Sequence, residues 1–343
     1  MIRTFNISAR NLSNLLAAIL LIAPVTSFAL DTQREDISAF VDELVNQHDF
    51  EREWLEQTLS DGETKQKILD AISRPAEKTL AWHEYRKIFV TPKRINAGVK
   101  FWQENEERIA RISTETGVPA EIMVAIIGVE TYYGRQTGGY RVLDALATLG
   151  FDYPPRAKFF RGELEEFFLL TRDENLELTD VMGSYAGAMG PPQFIPSSYR
   201  MYAVDGDGDG KRDLLGNWDD ILASVANYFV RHGWRSGEPV TARGTVADPE
   251  AFPVGKNKLK LVDTVASLGD KGVRFDTSLD ASAPTQLIGF EGDEGDEYWV
   301  GFKNFYVITR YNHSAMYAMA VYQLATGLAD AKSAAATTAS NAP

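Results

Sequence analysis

In the stretch AIIGVETYYGR, residues 125–135, one carboxyl group, Glu130, closes a run that is otherwise apolar or small from Ile122 to Val129. Pro119 suits the start of a helix and Gly134 the left-handed residue just past its end, so Glu130 falls in or near the last turn. An apolar setting and the negative end of the helix dipole both favour the protonated carboxyl. That would suit a proton donor at neutral pH, as general acids in sugar chemistry require. Tyr132 and Tyr133 add aromatic faces on which sugar rings could pack. The plainer alternative is that Glu130 is only the first polar residue where a buried helix ends.

A second stretch, GSYAGAMGPPQFIPSSY (Gly183 to Tyr199), crowds small residues before Gln193. Its glycines let backbone approach another surface, and Ser184 and Gln193 carry the hydroxyl and amide that could hold a carboxyl or an N-acetyl group. No Lys-Ser/Thr follows the glycines, so the loop is not a phosphate loop; a structural loop is the other reading. YPPRAKFFRGEL sets Arg156 beside an aromatic cluster. Glycosidases ordinarily need two carboxylates. Glu163, Glu165 and Glu166 fall on an amphipathic stretch and read as its solvated face, and nothing singles out Asp144 or Asp152.

An acidic loop, DGDGDGKRDLLGNWDD, places Asp205, Asp207 and Asp209 at positions one, three and five of an EF-hand, with Gly210 at the turn. Lys211 could offer only its backbone carbonyl, and Gly216 stands where the bidentate glutamate normally sits, which leaves Asp219 as the natural closing ligand. The expectation is a structural Ca²⁺, with no cofactor for catalysis; a solvated Asp/Gly turn is the alternative. EGDEGDEYW reads as a hairpin turn, and the scattered His48, His83, His232 and His313 argue against zinc.

The elements that must carry these groups are read from 343 residues with a net charge of −13 and no cysteine. The acidity disfavours nucleic acid and anionic membrane surfaces, and the missing cysteine removes disulfides, thiol chemistry and a lipid anchor. Residues 1–29 have a basic head, a short apolar middle and a small-residue end, so an export signal and a soluble periplasmic protein are expected; an uncleaved anchor is the other reading. Apolar stripes predict a helical domain over 30–111, with Pro75 and Pro92 as punctuation. A helical core with long loops follows over 112–237, then a small β-rich domain over 238–300. YWVGFKNFYVITRY shares that β-like texture, but 301–330 is read as a return to the core with a C-terminal helix, and 331–343 as a disordered tail. The fold class is α+β, mainly α.

VETYYGR, LDALATLGFDYPPRAKFF, GSYAGAMGPPQF, SVANYF and FYVITRYNHSAMYAMAVYQL, in this order, resemble the B-type lytic murein transglycosylases, glycoside hydrolase family 103. The resemblance spans nearly all of the chain after the leader. It implies a lysozyme-like core with a helical N-terminal domain, a small β-rich insertion and an EF-hand-like loop closed by Asp219. It also implies action on peptidoglycan glycan strands, with Glu130 as sole acid/base. Ser184 and Gln193 would orient Glu130 or bind the N-acetyl sugar. Tyr228, Tyr311 and Asn312 would line the cleft beside Tyr132, and Arg156 would contact peptide or sugar. The implied reaction cleaves between MurNAc and GlcNAc: the MurNAc C6 hydroxyl attacks its own C1 and leaves a 1,6-anhydro sugar. A hydrolytic muramidase and a non-catalytic wall-binding protein are the competing readings. Penicillin-binding proteins are the partners considered, and a monomer the expected state. Two features depart from the family: Pro191-Pro192 replaces a different pair in many members, and the lipoprotein tether of many members has no cysteine to carry it.

Overall fold

The computed structural model describes residues 27–74 and 80–340, so most of the expected leader, and Pro75, lie outside the described residues. The last three residues of the expected leader form a strand, β1 (Ser27–Ala29). It pairs antiparallel with β2 (Glu63–Lys65), which follows helices α1 (Glu35–His48) and α2 (Arg52–Ser60). Four more helices complete the N-terminal region: α3 (Gln66–Ile72), α4 (Trp82–Phe89), α5 (Pro92–Glu104) and α6 (Glu106–Thr116). Their starts and stops follow local rules. Thr91 caps α5, its Oγ1 accepting from Arg94 N, with Pro92 at the first helical position, and Gly117 ends α6 in the left-handed region at φ 70°.

The site is carried by α7 (Ala120–Thr131), whose residues from Ile122 to Val129 are all buried. Each large apolar side chain buried there contributes about 1.5–3 kcal/mol. The neighbours that bury it are α5, α6, α11 (Trp218–Arg231) and α14 (Ala315–Ser340). Between them in sequence come β3 (Tyr140–Arg141), α8 (Val142–Asp152), α9 (Ala157–Asp173), β4 (Met182–Gly183) and α10 (Pro196–Tyr202).

The region after Gly237 is a five-stranded sheet in the order β6-β8-β9-β5-β7, built from β5 (Thr241–Val246), β6 (Asp263–Thr264), β7 (Val273–Arg274), β8 (Pro284–Gly292) and β9 (Gly295–Gly301). A short helix, α12 (Val265–Asp270), packs on it. The expected hairpin turn is present, with Gly292 opposite Gly295. A mixed texture resolves as helix, and one expectation changes. The β-like texture of residues 303–311 is helix α13 (Lys303–Tyr311), whose buried Asn304, Phe305, Val307 and Ile308 share one helical face. The tail expected to be disordered from residue 331 continues α14 to Ser340, in keeping with its alanines, the strongest helix formers. Among the described residues no single helix is long and apolar enough to cross a membrane.

Candidate active site

Glu130 is the penultimate residue of α7 and half-buried. Immediately after Thr131 the backbone turns through three consecutive left-handed residues, Tyr132 (φ 51°), Tyr133 (φ 62°) and Gly134 (φ 79°). Two tyrosines in that region are strained, and packing holds them there. Tyr133 is buried against α5 and α7, its hydroxyl donating to Arg94 O at 2.9 Å. It fits because Gly98 and Gly128 lack side chains: a Cβ on Gly98 would overlap the Tyr133 hydroxyl, and one on Gly128 would lie 2.8 Å from it. Tyr133 is therefore a core residue rather than a sugar platform. Tyr132 stays half-buried, its ring flanked by the guanidinium groups of Arg94 at 4.8 Å and Arg135 at 5.4 Å.

Sequence reasoning missed the group that touches the carboxyl. The hydroxyl of Tyr317, in the first turn of α14, donates to Glu130 Oε1 at 2.5 Å. Burial above all, and then the nearby Glu130 charge, push the Tyr317 and Tyr311 hydroxyls well above the ordinary tyrosine range, so both remain protonated donors. The Tyr311 ring lies 6.5 Å from and nearly parallel to that of Tyr317, and its hydroxyl donates to Pro192 O at 2.6 Å. Tyr228 packs 4.9 Å from Tyr311, stacks on His232 at 4.1 Å and donates to Arg310 O at 2.6 Å. An aromatic series thus connects Glu130 to the glycine-rich loop.

That loop is fastened to the end of α7. Thr131 Oγ1, fully buried, donates to Pro191 O at 3.0 Å, and Gln193 Nε2 donates to Thr137 O at 3.1 Å and Gly190 O at 2.9 Å. Gln193 itself is left-handed at φ 52°, and with its amide hydrogens so engaged its Oε1 is the end placed to accept. Ser184 Oγ accepts from Ala186 N at 3.2 Å and Ala188 N at 3.1 Å, closing a turn of the loop. Asn312 ends α13, its carbonyl accepting from Ser314 N at 2.7 Å. The Arg156 guanidinium lies over Phe159 at 4.3 Å and Phe160 at 4.9 Å, lining a surface hollow of about 700 Å³.

Every carboxylate weighed as a second catalytic group is engaged in a structural contact. Asp144 is fully buried and paired with Lys65 at 2.8 Å and Arg141 at 2.7 Å. Asp152 pairs with Arg34 at 2.8 Å, Glu165 meets His48 at 2.7 Å, and Glu166 meets Arg200. Glu163 accepts from Ser197 Oγ at 2.7 Å and Ser197 N at 3.0 Å, and burial raises its pKa.

In the acidic loop, carboxylate oxygens of Asp205, Asp207 and Asp209 lie within 4.8 Å of one another. The Gly210, Gly208 and Asp209 amides converge on Asp205 and hold its carboxyl below the usual range. Lys211 is exposed, its amide donating to Asp209 Oδ1 at 2.8 Å. Asp219 borders the start of the loop, and its two oxygens accept from Arg111 at 2.8 Å and Arg108 at 3.1 Å of α6. The buried neighbour Asp220 braces the loop backbone. It accepts from Gly206 N and Asp213 N, each at 2.7 Å, and its pKa is raised by burial and then by the charges of Asp207 and Asp205. These convergent carboxylates suit a hard divalent cation.

A carboxyl at the end of an apolar helix, held by a tyrosine and faced by a braced glycine-rich loop, thus sits on a mainly helical fold with small β-sheets. Residues 32–326 match the Transglycosylase SLT domain, and the chain belongs to that family. It is 43% identical over 304 residues to membrane-bound lytic murein transglycosylase B of Escherichia coli (strain K12), across 85% of this chain and 82% of the relative. The fold matches soluble lytic transglycosylase SltB1 from Pseudomonas aeruginosa with a TM-score of 0.82 and 51% identity, covering 86% of this chain and 99% of the other. It also matches the Escherichia coli lytic transglycosylase Slt35 solved in complex with calcium, with a TM-score of 0.80 and 40% identity over 91% and 98% of the two chains. The protein is a lytic murein transglycosylase, an enzyme acting on peptidoglycan.

Proposed function

We propose that the enzyme cleaves the β-1,4 bond between MurNAc and GlcNAc and forms 1,6-anhydro-MurNAc, with Glu130 as the only acid/base. Glu130 donates a proton to the bridging oxygen, and the C1–O bond breaks. The carboxylate then takes the proton of the MurNAc C6 hydroxyl as that oxygen closes on C1. Atoms balance without water. The attacking group is tethered to the ring it attacks, which gives it a large effective concentration.

The observation that carries this reading is the one hydrogen-bonded carboxyl at the head of the braced loop, with every other acid weighed for the role engaged in structural contacts. Tyr317 holds the Glu130 carboxyl in place through Oε1. Gln193 Oε1 and the Ser184 hydroxyl proton would meet the N-acetyl group. Tyr132, Tyr228, Tyr311 and Asn312 line or support the cleft, and Arg156 contacts strand or peptide farther off. Asp205, Asp207, Asp209, the Lys211 carbonyl and Asp219 would hold a structural Ca²⁺, as in an EF-hand, with Asp220 bracing the loop amides; calcium in the related Slt35 structure supports this. Action in the periplasm, reached through the expected leader, is supported by the murein in the relatives' names, and wall-synthesis enzymes such as penicillin-binding proteins are the partners to test.

The experiment is Glu130→Gln assayed on purified peptidoglycan. Turnover falls at least about 10³-fold while glycan binding and melting temperature stay near wild type. Turnover within tenfold of wild type would remove Glu130 from the role.

A further inference from the structure

Away from Glu130, between the α1–α2 turn, the C-terminal end of α9 and the segment that follows it, lies a hollow of about 610 Å³. Its floor is aromatic. The Trp54 indole, 45% exposed, stacks on Phe50 with centroids 5.8 Å apart and planes 9° from parallel, and meets Phe168 edge-on at 5.8 Å. Arg172, which donates to His48 O at 2.7 Å, lies 4.5 Å from the Phe50 ring. The rim is polar: Asp49, Glu51, Asn175 and Glu177 surround the indole. None of the three acids on it forms an ion pair among the described residues. Exposed tryptophans are few in soluble proteins, and this one lies flat and braced from behind.

We propose that this hollow is a second, non-catalytic binding site for the glycan backbone of murein. A pyranose ring presents an apolar face of C–H bonds and an edge of hydroxyl and N-acetyl N–H donors. The indole offers the platform for the first, and the unpaired carboxylates and the Asn175 amide offer acceptors for the second. The same acids repel the carboxylates of stem peptides, which selects the sugar chain over its peptide substituents. The enzyme acts on a long polymer, so a second contact raises the local concentration of strand at the catalytic cleft without new chemistry there. The proposal rests on the peptidoglycan substrate but not on the role of Glu130.

The test uses the full-length protein and two variants, Trp54→Ala and Trp54→Leu, the second keeping apolar packing against Phe50 and Phe168. Three readouts are compared: retention on insoluble murein sacculi, retention on peptide-free glycan strands, and turnover of a short soluble muropeptide. Loss of one aromatic contact corresponds to about fivefold weaker retention. Both variants should lose about that much on sacculi and on peptide-free strands, with melting temperature within a few degrees of wild type and soluble turnover unchanged. Wild-type retention in a folded Trp54→Leu protein overturns the proposal. So does a loss confined to peptide-bearing strands, or an equal loss of soluble turnover. A wild-type protein that binds strands through Trp54 but forms no anhydro product would refute the proposed reaction and leave this site standing.

Discussion

The Tyr317 hydroxyl donates to Glu130 Oε1 across the contact between α14 and α7, joining two helices nearly two hundred residues apart in sequence through the carboxyl proposed as acid/base. Burial above all, and then the Glu130 charge, hold the Tyr317 hydroxyl well above the ordinary tyrosine range, so it remains a donor at neutral pH. Tyr317→Phe keeps the ring and removes the bond. It should lower kcat about 10- to 100-fold with KM little changed, measured by release of soluble muropeptides.

The turn after α7 depends on glycines that face Tyr133. Gly98→Ala places a methyl group on the Tyr133 hydroxyl and against Leu328 Cδ2. The overpacking should cost about 1–3 kcal/mol, read as a lower melting temperature, and should loosen Glu130 with it.

The acidic loop gives a prediction at two of its aspartates. Calcium should raise the melting temperature and a chelator lower it. At a hundred times the dissociation constant the stabilisation is about 2.7 kcal/mol. Asp209→Asn should abolish the response, and Asp219→Asn, which removes the carboxylate expected to close the loop, should weaken it.

Burial depresses the pKa of His232 beneath Tyr228. A base whose folded pKa is lowered is neutral in the fold and takes up its proton on unfolding. Its contribution is therefore present above the unfolded pKa, about 6.5, and lost as the pH falls below it. Melting temperature should drop between pH 7.5 and 5.5, and His232→Phe should flatten that dependence. Glu163, raised by burial, has the opposite sign and remains in the variant, so the difference between the two proteins isolates the histidine.

Much of this site is written in local sequence. The apolar run Ile122–Val129 ending at Glu130 announces a buried helix with one polar end, and the glycines from Gly183 to Gly190 announce a loop that must approach another surface. What is missing is set by tertiary packing. Tyr317 looks like any aromatic on the core face of α14, and only the seating of that helix on α7 aims its hydroxyl. Tyr132 and Tyr133 are identical in type and adjacent, yet two distant glycines bury one of them. Asp219 and Asp220 differ by one position, yet the first accepts from arginines of α6 and the second from amides of the acidic loop. In residues 303–311, β-branched and aromatic content suggests strand, whereas the face that packs is helical.

The central claim is that the muramyl sugar supplies its own nucleophile. Digestion of peptidoglycan in H₂¹⁸O, followed by mass spectrometry of the released muropeptides, tests it most directly. The account predicts products one water lighter than the hydrolytic ones, with no ¹⁸O at the cleaved anomeric carbon. Reducing-end products that carry ¹⁸O there would contradict it.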